Sequence, residues 1–190
     1  MIMLGIVNFM KIEETEIKDV KIIRPSVFSD LRGSFFETYK STLFTSYELP
    51  NNFYQDNQVR SKKDVLRGLH YQLQHPQGKL VQVVVGSILD VAVDIRLGSP
   101  TFGKYHLVEL SSKNNKIFYI PEGFAHGYLV LSEFSIVLYK CTKIYDPEDE
   151  YGIKWNDPDL NIKWGNKSPL LSEKDNNLPN LKDQKNLPKY

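Results

Sequence analysis

The feature that most constrains this chain is the period of its apolar residues. Between residues 20 and 145 hydrophobic side chains recur mostly at every second position, in short runs broken by turn-forming residues. A period of two puts one set of side chains on each face of a pleated strand, whereas a helix needs 3.6. Residues 79–85 and 88–95 are the strongest runs, dense in β-branched side chains and joined at Gly86-Ser87. Residues 20–23, 34–39, 53–59, 65–72, 105–110, 117–120, 127–131 and 135–145 read as further strands. Ser112-Lys113-Asn114-Asn115 reads as a hairpin loop, and residues 41–49 as two turns of helix. About ten short, closely spaced strands with almost no helix predict an all-β antiparallel sandwich or barrel. A length of 190 residues suits one domain with a real core.

Charge excludes several partners. The 24 Lys and Arg nearly cancel the 23 Asp and Glu, so no net field is available for nucleic acid or an anionic membrane. An anionic ligand must therefore be gripped by a few placed cations. No window of about 18 apolar residues occurs, so no membrane span is expected. The N-terminus shows neither a basic leader nor a small-residue cleavage site, which predicts a cytoplasmic protein. The single cysteine, Cys141, reads as a buried strand residue and cannot form an internal disulfide or a multi-cysteine zinc site. Met10-Lys11-Ile12 reads as a natural beginning, with residues 1–9 a loose extension. From residue 146 on, Asn, Asp, Lys and Pro accumulate, with Trp155 and Trp164 as anchors; by composition alone residues 172–190 read as a loose tail.

Only four histidines can supply a base near neutral pH: His70, His75, His106 and His126. His70 is followed by Tyr71-Gln72 and not by a second histidine, so the paired histidines of a metal-binding barrel are missing, which leaves a site from His70, His126 and a distant acid as the metal alternative. His75 lies in a Pro/Gly/Gln loop, and His106 reads as structural. His126 sits between Gly123 and Gly127, which lets other groups approach. Arg67 and Lys79 bracket His70. A charge in a run as apolar as Leu66-Arg67-Gly68-Leu69 needs a partner or a function. In a regular strand Arg67 and His70 would face opposite ways, so both serve one cavity only if Gly68 marks a bulge. Tyr139 and Tyr145, six apart in a continuous strand, would share a face, and a phenol is a competent proton donor.

Six segments, in order and at family-like spacing, lift these weak signals. They are DLRGSFFETY, YQDNQVRSKKDVLRGLHYQ, PQGKLVQVVVGSILDVAVDIRLGSPTFG, IPEGFAHGYLVLSE, LYKCTKIYDPEDEYGIKWNDPDL and LSEKD. From about residue 15 to 182 the chain resembles the dTDP-4-dehydrorhamnose 3,5-epimerases. The resemblance implies a cupin-type jelly roll, a homodimer with strand exchange, and no metal or organic cofactor. It implies a substrate in which a nucleotide carries a 4-keto-6-deoxyhexose, inverted at C3 and C5 through an enolate.

By the same resemblance His70 is the base, Asp175 orients its imidazole, Tyr139 is the opposing acid and Lys79 stabilises charge on the C4 oxygen. Arg32, Arg67 and Lys174 would contact the diphosphate and neighbouring groups, with Glu37 and Gln55-Asp56-Asn57 near the nucleoside. Tyr145 would stack on the base, and His126 and Glu150 would line the pocket. Residues 172–175 should then be ordered over the pocket, leaving a loose end only from about 183. Close relatives with nearly the same residues invert C3 alone. A non-catalytic sugar-nucleotide-binding cupin is the reading from another class.

Overall fold

The computed structural model describes residues 10–190, so the expectation for residues 1–9 lies outside the described residues. Among the described residues thirteen strands and two short α-helices follow one another. They are β1 (Met10–Glu14), β2 (Lys21–Pro25), β3 (Phe28–Asp30), β4 (Gly33–Phe35), α1 (Ser41–Ser46), β5 (Gln55–Lys62), β6 (Leu66–Gln72), β7 (Lys79–Val85), β8 (Ser87–Asp94), β9 (Tyr105–Ser111), β10 (Ile117–Ile120), β11 (Phe124–Val130), β12 (Phe134–Cys141), β13 (Glu150–Gly152) and α2 (Glu173–Asn176). A six-stranded sheet runs β1-β2-β10-β7-β12-β5, a five-stranded sheet runs β13-β6-β11-β8-β9, and β3 and β4 form a separate hairpin. The pairings within these sheets are antiparallel.

Three apolar clusters explain the alternation. Val81, Val83, Val137, Phe118 and Ile120 from the larger sheet meet Ile88, Ala92, Tyr128 and Val130 from the smaller one, forming the core between them. The far face of the five-stranded sheet buries Leu66, Leu69, Val91, Val93 and Leu129 under Ile153, Leu160, Ile162, Trp164 and Leu181 of the last third. With both faces covered, β11 is buried at every position. The far face of the larger sheet is closed by Phe44 of α1, packed with Met10, Ile23, Leu49 and Leu80.

The structure departs from the sequence reading in four places. Residues 112–115 do turn, with Asn114 Oδ1 accepting from the amides of Ser111 and Lys116. They do not close a hairpin, because β9 pairs with β8 in one sheet and β10 with β7 and β2 in the other. Turn chemistry fixes where a chain reverses, not which sheet receives it. The expected strand at 34–39 shrinks to β4, and the one at 135–145 ends at Cys141. The last residues pack on the body instead of trailing: Leu97 pairs with Lys189, the Tyr71 hydroxyl donates to Asn186 O at 2.6 Å, and Arg96 lies 4.8 Å from the Tyr190 ring centre. Cys141 is buried, and burial pushes its thiol above the ordinary value.

Candidate active site

The space between the sheets is filled with apolar side chains over part of its length and lined with polar ones over the rest. The open part is a cavity of about 500 Å³. Strand parity sets its lining. On β5 the residues 55, 57, 59 and 61 are less exposed than their neighbours, so Gln55, Asn57 and Val59 face inward. On β7 the inward face carries Lys79 and then Val81 and Val83, and on β12 it carries Tyr139 and Val137. The five-stranded sheet contributes Arg67, His70, His126 and Tyr128. His70 and Tyr139 thus enter one cavity from opposite sheets.

Arg67 and His70 share this cavity through an irregularity at Gly68. Across β6 and β11, His70 pairs with His126 and Arg67 with Tyr128, so three steps on one strand match two on the other. Gly68 is the extra residue. Its φ is +102°, and a Cβ there would sit 2.5 Å from the carbonyl oxygen of His126, so only glycine fits. Arg67 Nε donates to Ser61 Oγ at 3.0 Å.

His70 Nε2 lies 2.6 Å from Asp175 Oδ1. With that carboxylate ionised, Nε2 carries the hydrogen and the lone pair sits on Nδ1. Nδ1 lies 3.7 Å from Glu150 Oε1. Asp175 is buried at the first turn after Ser172, whose hydroxyl accepts from the Asp175 amide at 3.0 Å. Burial raises the Asp175 carboxyl, but the hydrogen bonds from His70, Gly68 and Ser172 together with the charge of His70 outweigh it and hold it below the usual range. Glu150 is lowered the same way, its burial outweighed by Lys174, His70 and Tyr145. Its Oε2 accepts from Lys174 Nζ and, at 3.0 Å, from the Tyr145 hydroxyl.

Lys79 forms no ion pair among the described residues. Burial lowers its ammonium, partly offset by the charges of Cys141, Glu150 and Asp90. Burial pushes the Tyr139 phenol up to about 12, so it holds its proton at neutral pH. His126 Nε2 lies 2.7 Å from Asp90 Oδ1, both being buried. Among the described residues no group of three His, Cys, Asp or Glu side chains could hold a metal ion.

The sequence profile of the family described as dTDP-4-dehydrorhamnose 3,5-epimerase matches residues 14–183. The chain belongs to that family. It is 51% identical over 167 residues to the dTDP-4-dehydrorhamnose 3,5-epimerase of Neisseria gonorrhoeae, covering 87% of this chain and 51% of that one. The chain therefore spans about half the length of that relative. It is 47% identical over 173 residues to the same enzyme of Methanothermobacter thermautotrophicus, covering 90% of this chain and 94% of the other. A crystal structure of the dTDP-6-deoxy-D-glucose-3,5-epimerase of Legionella pneumophila, in complex with dTDP-4-keto-L-rhamnose, superposes with a TM-score of 0.92 at 48% identity, over 95% of this chain and 98% of that one. The two-sheet architecture is the cupin-type jelly roll of this epimerase family.

Of the residues that the family resemblance singled out, His70, Lys79, Tyr139, Asp175, Gln55, Asn57, Arg67, His126, Tyr145, Glu150 and Lys174 line the one cavity. Tyr145 reaches it from a loop after β12, held by Gln55 Oε1 accepting from its amide at 2.7 Å, and not by sharing a strand face with Tyr139. Asp56 lies on the opposite face of β5, paired with Lys140 at 2.8 Å. Arg32 sits at the tip of the β3–β4 hairpin, bonded to Asp30, and does not line the cavity of its own chain; Glu37 does not line it either. His75 lies outside the cavity, its amide donating to Asp149. His106 pairs with Glu16 at 2.9 Å. Sequence reasoning missed Asp90. Its signal was a carboxylate in the middle of Ser87-Ile88-Leu89-Asp90-Val91-Ala92, a strand too apolar to leave a charge unpaired. Among the described residues no helix is long and apolar enough to cross a membrane.

Proposed function

We propose that this protein is a dTDP-4-dehydrorhamnose 3,5-epimerase, converting dTDP-4-dehydro-6-deoxy-D-glucose to dTDP-4-dehydro-L-rhamnose. The observation that carries the reading is a carboxylate-held histidine and a protonated phenol entering one cavity from opposite sheets. Inversion at carbon needs that arrangement, because one group must take a proton from one face and another must return one to the other face.

The C4 carbonyl makes the C3 and C5 hydrogens acidic by allowing an enolate. His70 takes the proton on Nδ1, and Asp175 balances the charge the ring acquires while keeping Nε2–H in place. Lys79 faces the charge growing on the C4 oxygen. A cation that carries no partner and little water acts strongly there. Tyr139 donates its proton to the opposite face of the carbon. General acid–base help contributes about 10²–10⁴-fold, so charge stabilisation by Lys79 supplies much of the remainder. The carbonyl already activates both carbons, so the scheme needs no metal or organic cofactor. Arg67 and Lys174 bind the diphosphate region, Gln55 and Asn57 lie toward the nucleoside, Tyr145 stacks on the base, and His126 and Glu150 shape the pocket around the sugar.

The protein works in the cytoplasm as a homodimer. The β3–β4 hairpin supports the dimer: among the described residues its strands pair only with each other, and Leu31 and Phe35 stand 107% and 66% exposed on it. A partner would bury these side chains and receive Arg32, with Glu37 and Asp56 at the same border. Incubation with dTDP-4-keto-6-deoxyglucose in deuterated water tests the reaction. Label at C3 and C5 supports it, label at C3 alone makes the protein a 3-epimerase, and no label at either carbon overturns it.

A further inference from the structure

Two inversions on one substrate pose a proton balance that a single acid–base pair does not close. After the first inversion His70 carries the proton it took, and Tyr139 has lost the one it gave. Before the second carbon can react, His70 must lose a proton and Tyr139 must gain one. The sum over both sites is zero, so a proton must leave the neighbourhood of His70 while another enters near Tyr139. A sugar nucleotide in the cavity would stand between His70 and Tyr139, which enter it from opposite sheets.

The Nδ1 that takes the carbon proton is also the nitrogen facing Glu150. Oε1 of that carboxylate lies 3.7 Å away, a gap that a small carboxylate rotation or one water spans. The other oxygen, Oε2, faces outward to Lys174, which is half exposed, and to the hydroxyl of Tyr145, a residue that is 42% exposed. Glu150 therefore has one oxygen on the buried base and one on two side chains at the mouth. We infer that Glu150 is a relay that clears the proton from His70 between the first and second inversions, so that one bound sugar can react at both carbons. The relay forms no new carbon bond: Nδ1–H passes its proton to Oε1, the carboxyl releases it to water at the mouth, and the Tyr139 phenolate takes one proton back from water, so the sum is zero. A carboxyl held below its usual range keeps no proton and is ready for the next transfer. Glu150 acts through His70 and is a positioning residue by this assignment.

The inference rests on the epimerase reading, and the test separates the two. Deuterium incorporation at C3 and C5 is followed by NMR for wild type, Glu150→Gln and Glu150→Asp, each with and without added imidazole buffer. In Glu150→Gln the rate at the carbon that reacts second should fall at least about tenfold further than the rate at the first, and the singly inverted sugar should accumulate. Added imidazole should restore the second rate in proportion to its concentration, and Glu150→Asp should recover part of it without buffer. Equal slowing at both carbons, or a raised KM with an unchanged product ratio and no response to buffer, overturns the relay. Absence of label from the wild-type protein removes the epimerase reading itself, and the relay with it.

Discussion

Two histidines face each other across β6 and β11, and each holds a carboxylate through Nε2. His70 meets Asp175 at 2.6 Å and His126 meets Asp90 at 2.7 Å. Their surroundings differ. Asp90 comes from β8, the strand next to His126, and both partners are buried, His126 in the cavity wall, with one Asp90 oxygen unpaired among the described residues. Asp175 comes from α2, 105 residues from His70, and the His70 side chain keeps 25% of its surface open. The buried pair is fixed by the sheet itself. The other is completed by a segment folded over the cavity, and its ring still has a free nitrogen, a second carboxylate and access to a ligand. A carboxylate beside a histidine is therefore no mark of catalysis; what distinguishes His70 is where its second nitrogen points.

Substitutions can break this comparison. His70→Ala should lower kcat by about 10⁴-fold and remove exchange at both carbons, whereas His126→Asn should stay within about 10²-fold. Equal losses, measured by deuterium incorporation, would erase the distinction. Tyr139→Phe comes next. Loss of the acid should cost about 10²–10³-fold in inversion while His70 still removes hydrogen, so substrate labelled at C3 should lose label faster than it inverts. A Tyr139→Phe protein with full epimerase activity would refute the acid role.

Gly68→Ala attacks the geometry that both histidines share. Its Cβ meets the carbonyl of His126 and its φ is positive, so about 1–3 kcal/mol of stability should be lost, read from urea unfolding, together with most of the activity. The smallest effect concerns acid. The Asp175 carboxyl is held below 3.8, so its ionised, bonded form stabilises the fold above that pH, and this contribution is lost as the pH falls through the lowered value. The Tm gap between wild type and Asp175→Asn should be constant above about pH 5 and close below 3.8. A gap that widens in acid would contradict the sign.

The strands around the cavity were legible because β7 and β8 carry dense β-branched runs with a clear period. The bulge at Gly68 was legible for a different reason: Arg67 and His70 could not otherwise serve one site. What the sequence hid was non-local. Residues 112–115 contain sound turn chemistry, yet the choice between sheets depends on partners far along the chain. The last residues look solvated by composition, yet Arg96 and Leu97, just after β8, and the hydroxyl of Tyr71 give them a place to dock. Arg32 and Asp56 were singled out by family resemblance, while the parity of β5 and the reach of one chain put them elsewhere. Asp90 was visible in the sequence as a misfit in an apolar strand.

The separation between His70 and Asp175 has a consequence for synthesis. On the ribosome the histidine emerges 105 residues before the carboxylate that orients it. The strands of both sheets can pair while the ring is still unheld and the second face of the smaller sheet is still bare. Competence is thus gained last, by the same segment that closes that face, and a chain interrupted before it would own a barrel but no working base.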